Sequence, residues 1–143
     1  MIIPFKLFEK NLNIKGFKVD IEKETINNKN FRKVLYTGKK LQLVIMSLKK
    51  GEEIGEEIHD NDQFFRFEKG KGKVIINDTT YKIKDDDIVI IPAGSKHNII
   101  NMGDDDLKLY TIYSPPHHKD KIIKKTKDEA EKKDNDFDGK TTE

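Results

Sequence analysis

Cysteine is absent from this chain of 143 residues. Its absence excludes a disulfide framework, thiolate metal sites and a cysteine nucleophile. No stretch approaches the ~20 consecutive apolar residues of a membrane-spanning helix. The opening MIIPFKLFEKNLNIKGF is apolar in places. It lacks the unbroken apolar run of about 7 or more residues and the small-residue cleavage site of a secretory leader. The expectation is a cytoplasmic protein with no membrane partner. A field of one sign is also missing. There are 28 basic and 26 acidic residues, interleaved along the chain, for a net charge of +2. That gives no basic face for nucleic acid. The longest basic cluster, Lys119 to Lys127, is broken by Asp120 and Ile122–Ile123 and reads as a solvated face.

Apolar residues are scarce too, at 34% against 38% charged, but they are not evenly spread. They concentrate between Phe31 and Tyr113, while the stretch after Pro116 is mostly polar. The middle can therefore build one core while the end stays wet. The expected organisation is an N-terminal edge or dimer segment (1–30), a barrel (31–116) and a charged C-terminal helix and tail (117–143). The scattered apolar residues of the first part, among them Phe5, Phe8, Phe17 and Ile21, suit an edge strand or a contact with a second copy.

In the middle, LQLVIMSL (41–48), FFRFE (64–68), KVIIN (73–77), TTYKI (79–83), DIVII (87–91), HNIIN (97–101) and LKLYTIY (107–113) are short runs of strand formers. Turn chemistry separates them, with Asn77-Asp78 as a hairpin signal. Strands of about five residues at roughly 8–12-residue spacing imply an all-β sandwich or barrel. After Pro115-Pro116, Thr126 and Glu129 have capping-box spacing, which predicts a short helix near 127–133. The final DNDFDGKTTE reads as a loose tail, with Phe137 as its one anchor.

The stretch GEEIGEEIHDNDQFF (51–65) is very polar, yet it runs into two phenylalanines. Glu57 and His59 are two apart, so in an extended segment both face one side. Gln63 shares parity with Phe65 and Phe67, whose rings need a core, so Gln63 points inward with them. Glu56 faces away from Glu57, and Glu52, Glu53 and Glu56 read as a solvated turn. Further on, His97 follows a Pro-x-Gly turn and alternates with Ile99 and Asn101. Two lone histidines in a β-protein are as a rule polar surface or satisfied core groups. The spacing is what sets these two apart.

That spacing resembles the paired motifs of the cupin superfamily. The first motif reads G, five residues, H-x-H, three or four residues, E, six residues, G; Gly51, Glu57, His59, Gln63 and Gly70 occupy those places. The second reads G, five residues, P-x-G, two residues, H, three residues, N; Asp86, Pro92, Gly94, His97 and Asn101 fill it. Together with FRKVLYTG, LKLYTIY and FDGKTTE, the chain is similar to a group of small single-domain bacterial cupins sometimes labelled mannose-6-phosphate isomerase-like. The resemblance implies a jelly-roll barrel (double-stranded β-helix) with a short C-terminal helix or tail, a homodimer, and one divalent ion (iron, manganese, nickel, cobalt or zinc).

The resemblance also implies a ligand set, with two departures. The family's metal is usually held by three histidines and one glutamate. Here Glu57 stands for the first histidine and Gln63 for the glutamate. The set keeps one carboxylate, so its net charge with a divalent ion is unchanged. Glu57, His59 and His97 amount to two histidines and one carboxylate, the type found in open non-haem iron sites. Gln63 would be a weaker fourth ligand or a group that orients the others.

Among other residues, Phe65 and Tyr110 are candidate walls of a substrate pocket. Arg66 reads as surface, His117 and His118 as structural, and Asn101 as a partner for nearby backbone. The expected activity is on a small organic molecule: a sugar, sugar phosphate, or hydroxy or keto acid. The chemistry would be isomerase-like or oxygenase-like, although the motifs offer no free acid or base. The alternatives are a binding or sensing module without turnover and a dimer with a vestigial cavity.

Overall fold

The computed structural model describes residues 12–132 and 135–143. Among the described residues nine strands run in chain order: β1 (Arg32–Thr37), β2 (Gln42–Leu48), β3 (Asp62–Lys69), β4 (Lys71–Ile76), β5 (Thr79–Lys84), β6 (Ile88–Ile91), β7 (His97–Asn101), β8 (Leu107–Ser114) and β9 (Ile123–Lys124). Helix α1 (Ile21–Asn27) precedes them and α2 (Lys127–Glu131) follows. One sheet has the order β6-β3-β8-β2-β1-β9 and the other β5-β4-β7, with every paired neighbour antiparallel. The expected all-β jelly-roll barrel with a short C-terminal helix is thus what the chain forms.

Alternation builds the core. In β3, Gln63, Phe65 and Phe67 are buried, while Phe64, Arg66 and Glu68 are less so. Opposite them in register on β8 stand Tyr113, Thr111 and Leu109. Phe65, Phe67, Val44, Met46, Leu109 and Ile99 meet between the sheets, nearly or wholly removed from water. Each such side chain contributes roughly 1.5–3 kcal/mol by burial. Strand β2 departs from alternation and is buried on both faces. The reason is α1, which packs across β2, β3 and β8. Beneath it Lys108 is buried, its Nζ donating to the Asn28 carbonyl at 2.6 Å and to Ser47 Oγ at 2.9 Å.

Three local expectations can be checked. The Asn77-Asp78 hairpin forms, with Ile76 facing Thr79 and Asn77 at φ 49°. Thr126 caps α2, accepting from the Glu129 amide at 3.1 Å. Among the described residues before β1 no edge strand forms. Residues 21–27 are helical, started by Asp20, whose carboxylate accepts from the Lys23 amide at 3.1 Å. The edge beside β1 is taken instead by β9. Ile2, Ile3, Phe5, Leu7 and Phe8 lie outside the described residues.

The C-terminal stretch is laced to the barrel rather than loose. The Phe137 amide donates to the His117 carbonyl at 3.0 Å and the Lys119 amide to Asn135 at 2.7 Å. The Thr142 amide reaches the Thr37 carbonyl at 2.9 Å, and Glu143 accepts from the Tyr36 hydroxyl at 2.7 Å. Backbone groups that reading by composition assigns to solvent find partners on β1 and the post-proline turn.

Candidate functional site

The segment that carries Glu57 runs along the free edge of β7. Isolated bridges join Glu53 to Ile100 and Glu57 to His97. Between them Gly55 adopts φ 112°, open to glycine at little cost, and its amide donates to Asn98 Oδ1 at 3.0 Å. The backbones of Glu57 and His97 bond reciprocally, at 2.9 and 3.0 Å. The Pro-x-Gly turn holds His59, because the Gly94 amide (φ 82°) donates to the His59 carbonyl at 2.9 Å. Asn101 closes the other end of β7. Its amide group donates to the Leu48 and Asp105 carbonyls, each at 2.9 Å, and accepts from the Gly103 amide. Asp86, at the place of a family glycine, takes the left-handed backbone that glycine would take, with φ 73°.

These backbone ties bring the side chains together. Ligand atoms of Glu57, His59 and His97 all lie within 4.8 Å of one another. Glu57 Oε2 is 3.9 Å from His59 Nε2, and the two imidazoles meet edge to face at 4.8 Å. His97 is buried, with Nδ1 placed 2.8 Å from the Ser95 carbonyl. A proton on Nδ1 donating there leaves Nε2 as a lone pair facing the cluster, the usual way a metal-ligating histidine is oriented. Gln63 is buried beside them, its Oε1 3.0 Å from His59 Nε2 and its Nε2 donating to Thr111 Oγ1 at 3.0 Å.

The donor set fits a divalent cation. His59 Nε2 faces two acceptor oxygens, from Gln63 and Glu57, and one proton can serve only one of them. Its Nδ1 is buried, with the Asn61 backbone beside it. Burial, then the neighbouring His97, push the His59 pKa below its ordinary value, so the ring favours its neutral form. Neutral imidazole, carboxylate and amide oxygen converging on one point are the donors that imidazole- and oxygen-binding metals take.

Two residues that sequence reasoning set aside belong to the same region. His117 packs its ring 4.7 Å from His59 and stacks on Tyr113 at 5.1 Å. Burial, followed by the charges of His59 and Arg32, pushes its pKa down to about 4. His118 is driven to about 2, again by burial first, and its Nε2 lies 3.2 Å from the Tyr113 hydroxyl. Tyr113 itself is buried, which raises its phenol well above the ordinary value. A polar cavity of about 390 Å³ opens beside the cluster, lined among others by Glu57, His117, His118, Arg32 and Lys124.

The other expected site residues lie elsewhere. Tyr110 has the opposite parity to Leu109 and Thr111, and its ring rests against Phe64, outside the barrel interior. The tyrosine near the cluster is Tyr113. Phe65 is core, aligned with Phe67 at 6.2 Å, and does not line the cavity. Arg66 pairs with Glu68 at 3.0 Å and Asp86 at 2.9 Å. Parity along LKLYTIY could have singled out Tyr113. His117, after two prolines, sits where no strand period applies. Arg32 shares the buried parity of Val34, an odd place for a charge.

A jelly-roll barrel of two antiparallel sheets that carries this pair of motifs is a small single-domain cupin. The chain belongs to the cupin family: the model of the cupin domain matches residues 44–113. It is similar to the uncharacterized protein YrkC of Bacillus subtilis, 43% identical over 131 residues, covering 87% of this chain and 70% of that one. The uncharacterized protein L612 of Acanthamoeba polyphaga mimivirus is 45% identical over 107 residues, covering 71% and 67%. The crystal structure of BH2720 from Bacillus halodurans is 42% identical, with a TM-score of 0.80 over 83% of this chain and 96% of that one.

Proposed function

We propose that this protein is a metal-dependent cupin that binds a small organic molecule at Glu57, His59 and His97 and acts on it in an isomerase-like manner. The observation that carries the reading is the convergence of the three ligand atoms within 4.8 Å beside a polar cavity. A divalent ion held there (iron, manganese, nickel, cobalt or zinc) supplies Lewis-acid polarisation of substrate oxygens, or oxygen activation in the case of iron. Gln63 serves as a fourth donor or orients His59.

His117 favours the isomerase-like branch. Its imidazole lines the cavity and is separate from the three ligands. It can take a proton from a substrate carbon or hydroxyl and return it to the neighbouring atom. The acid-base group that the motifs lack thus comes from the segment after the barrel. A homodimer is part of the same reading. Ile88 and Ile90 on the edge strand β6 are exposed and offer apolar surface to a second copy.

The test is elemental analysis of purified protein, joined to proton exchange in deuterated water with sugars and keto acids. One equivalent of metal is expected in the wild type, falling at least tenfold in Glu57→Ala and His97→Ala. Deuterium incorporation should be lost in His117→Gln with metal retained. Metal without exchange or oxygen uptake would leave a binding or sensing module. Unchanged metal content in both ligand variants would end the proposal.

A further inference from the structure

Arg32 is the unexplained charge of this barrel. It lies on β1, where alternation turns it inward with Val34, and only 8% of its surface is exposed. Its Nε is buried with no hydrogen-bond partner. No ion pair among the described residues includes it. A buried guanidinium without an anion is costly, and natural cores either pair such a group or omit it. One feature does hold it: the guanidinium carbon lies 5.3 Å from the centroid of the Phe31 ring. A cation over an aromatic face keeps its charge and its in-plane N–H donors. The cavity that Arg32 lines is the one that Glu57 and His117 line.

We infer that Arg32 is the anchor for a carboxylate on the substrate, so that the cavity takes a small hydroxy or keto acid. The inference rests on the proposed metal site and narrows it. A carboxylate is planar with two oxygens, and the guanidinium fork meets it with two parallel N–H donors. Arg32, Lys124 and Lys132 are balanced in the cavity lining by Glu57, Glu131 and Asp136, and so even a balance suits a monoanionic carboxylate better than a phosphate dianion. With the carboxylate on Arg32, a hydroxyl or carbonyl elsewhere on the same molecule reaches toward Glu57, His59 and His97, with His117 beside it. Arg32 thereby positions the ligand and selects it, and takes no proton.

The experiment is titration calorimetry with lactate, malate, 2-oxoglutarate, glucose and mannose 6-phosphate, on protein with and without bound manganese. At least one of the three acids should bind to the wild type, and neither sugar should bind comparably. Arg32→Lys, which keeps the charge but not the fork, should weaken that acid at least tenfold. Arg32→Met should abolish its binding with metal content unchanged. A second readout separates ligand binding from support of the fold. Removing an unpaired buried charge should leave the melting temperature of ligand-free Arg32→Met equal to or above that of the wild type. A drop of several degrees would assign Arg32 to the fold instead. Binding of none of the acids, equal binding by Arg32→Met, or preference for mannose 6-phosphate overturns the inference. His97→Ala keeps the two proposals apart: loss of metal with residual Arg32-dependent acid binding retains the anchor, and an anchor that fails while metal is still bound leaves the metal site standing.

Discussion

Glu57 and His97 are joined by their backbones as well as by their place in the cluster. Each amide donates to the other's carbonyl, at 2.9 and 3.0 Å. Two of the three candidate ligands therefore sit on adjacent extended segments and cannot drift apart without losing a pair of ladder bonds. The third, His59, is held by the Gly94 amide. Geometry at the cluster thus depends on where β7 lies, and β7 in turn depends on β4.

That dependence predicts an effect at a distance. Gly72 on β4 faces Asn101 on β7, and a methyl group there would lie 2.6 Å from the Ile100 carbonyl oxygen. Gly72→Ala should push the strands apart and cost about 1–3 kcal/mol, as forced overpacking does. It should also weaken metal binding although Gly72 touches no ligand. Gly51→Ala is the control. Its φ of +74° strains a side chain, but the space is open, so the cost should stay near ~1–2 kcal/mol with metal affinity intact. Urea titration and metal titration of both variants check this.

Acid should unfold the protein through His117 and His118. Their folded-state values, about 4 and about 2, lie below the ordinary 6.5. Below pH 6.5 the unfolded chain binds protons that the folded chain refuses, so stability falls as pH falls. The loss runs from about 6.5 down to about 4 for His117 and continues toward about 2 for His118. For buried His118 the slope is up to about 1.4 kcal/mol per pH unit. Denaturation midpoints at pH 7, 6 and 5 should fall steadily, and His118→Gln should flatten the trend.

Gln63→Glu restores the residue type that the family usually has at that place. It adds a second carboxylate at a position that is 3% exposed. Without metal, a buried carboxylate close to Glu57 should lower the melting temperature. With metal, the added charge should tighten binding by about tenfold. A calorimetric scan in chelator and another in excess manganese should therefore move in opposite directions.

Much of this site was legible because spacing on a β-strand is a statement about direction. Two-residue separation put Glu57 and His59 on one side, and the Pro-x-Gly turn fixed where His97 begins its strand. Gln63 followed from the parity of Phe65 and Phe67. The same rule, applied along LKLYTIY from Leu107 and Leu109, turns Tyr113 inward and Tyr110 outward. His117 was of another kind. Its place depends on a turn after two prolines and on its pairing with residues some twenty positions later, which no local pattern encodes. Arg32 was hidden by its type, since a charged residue in a strand reads as surface until its partners can be counted. Helix α1, at seven residues, is too short for a helical period to stand out.

The loop of Gly103, Asp104 and Asp105 lies past the end of β7 opposite to His97, and Asp104 is almost fully solvated. Since the chain has no native thiol, a cysteine substituted at Asp104 would be a unique handle for a dye or a spin label. Such a probe could be attached without touching the residues that this barrel gathers at its other mouth.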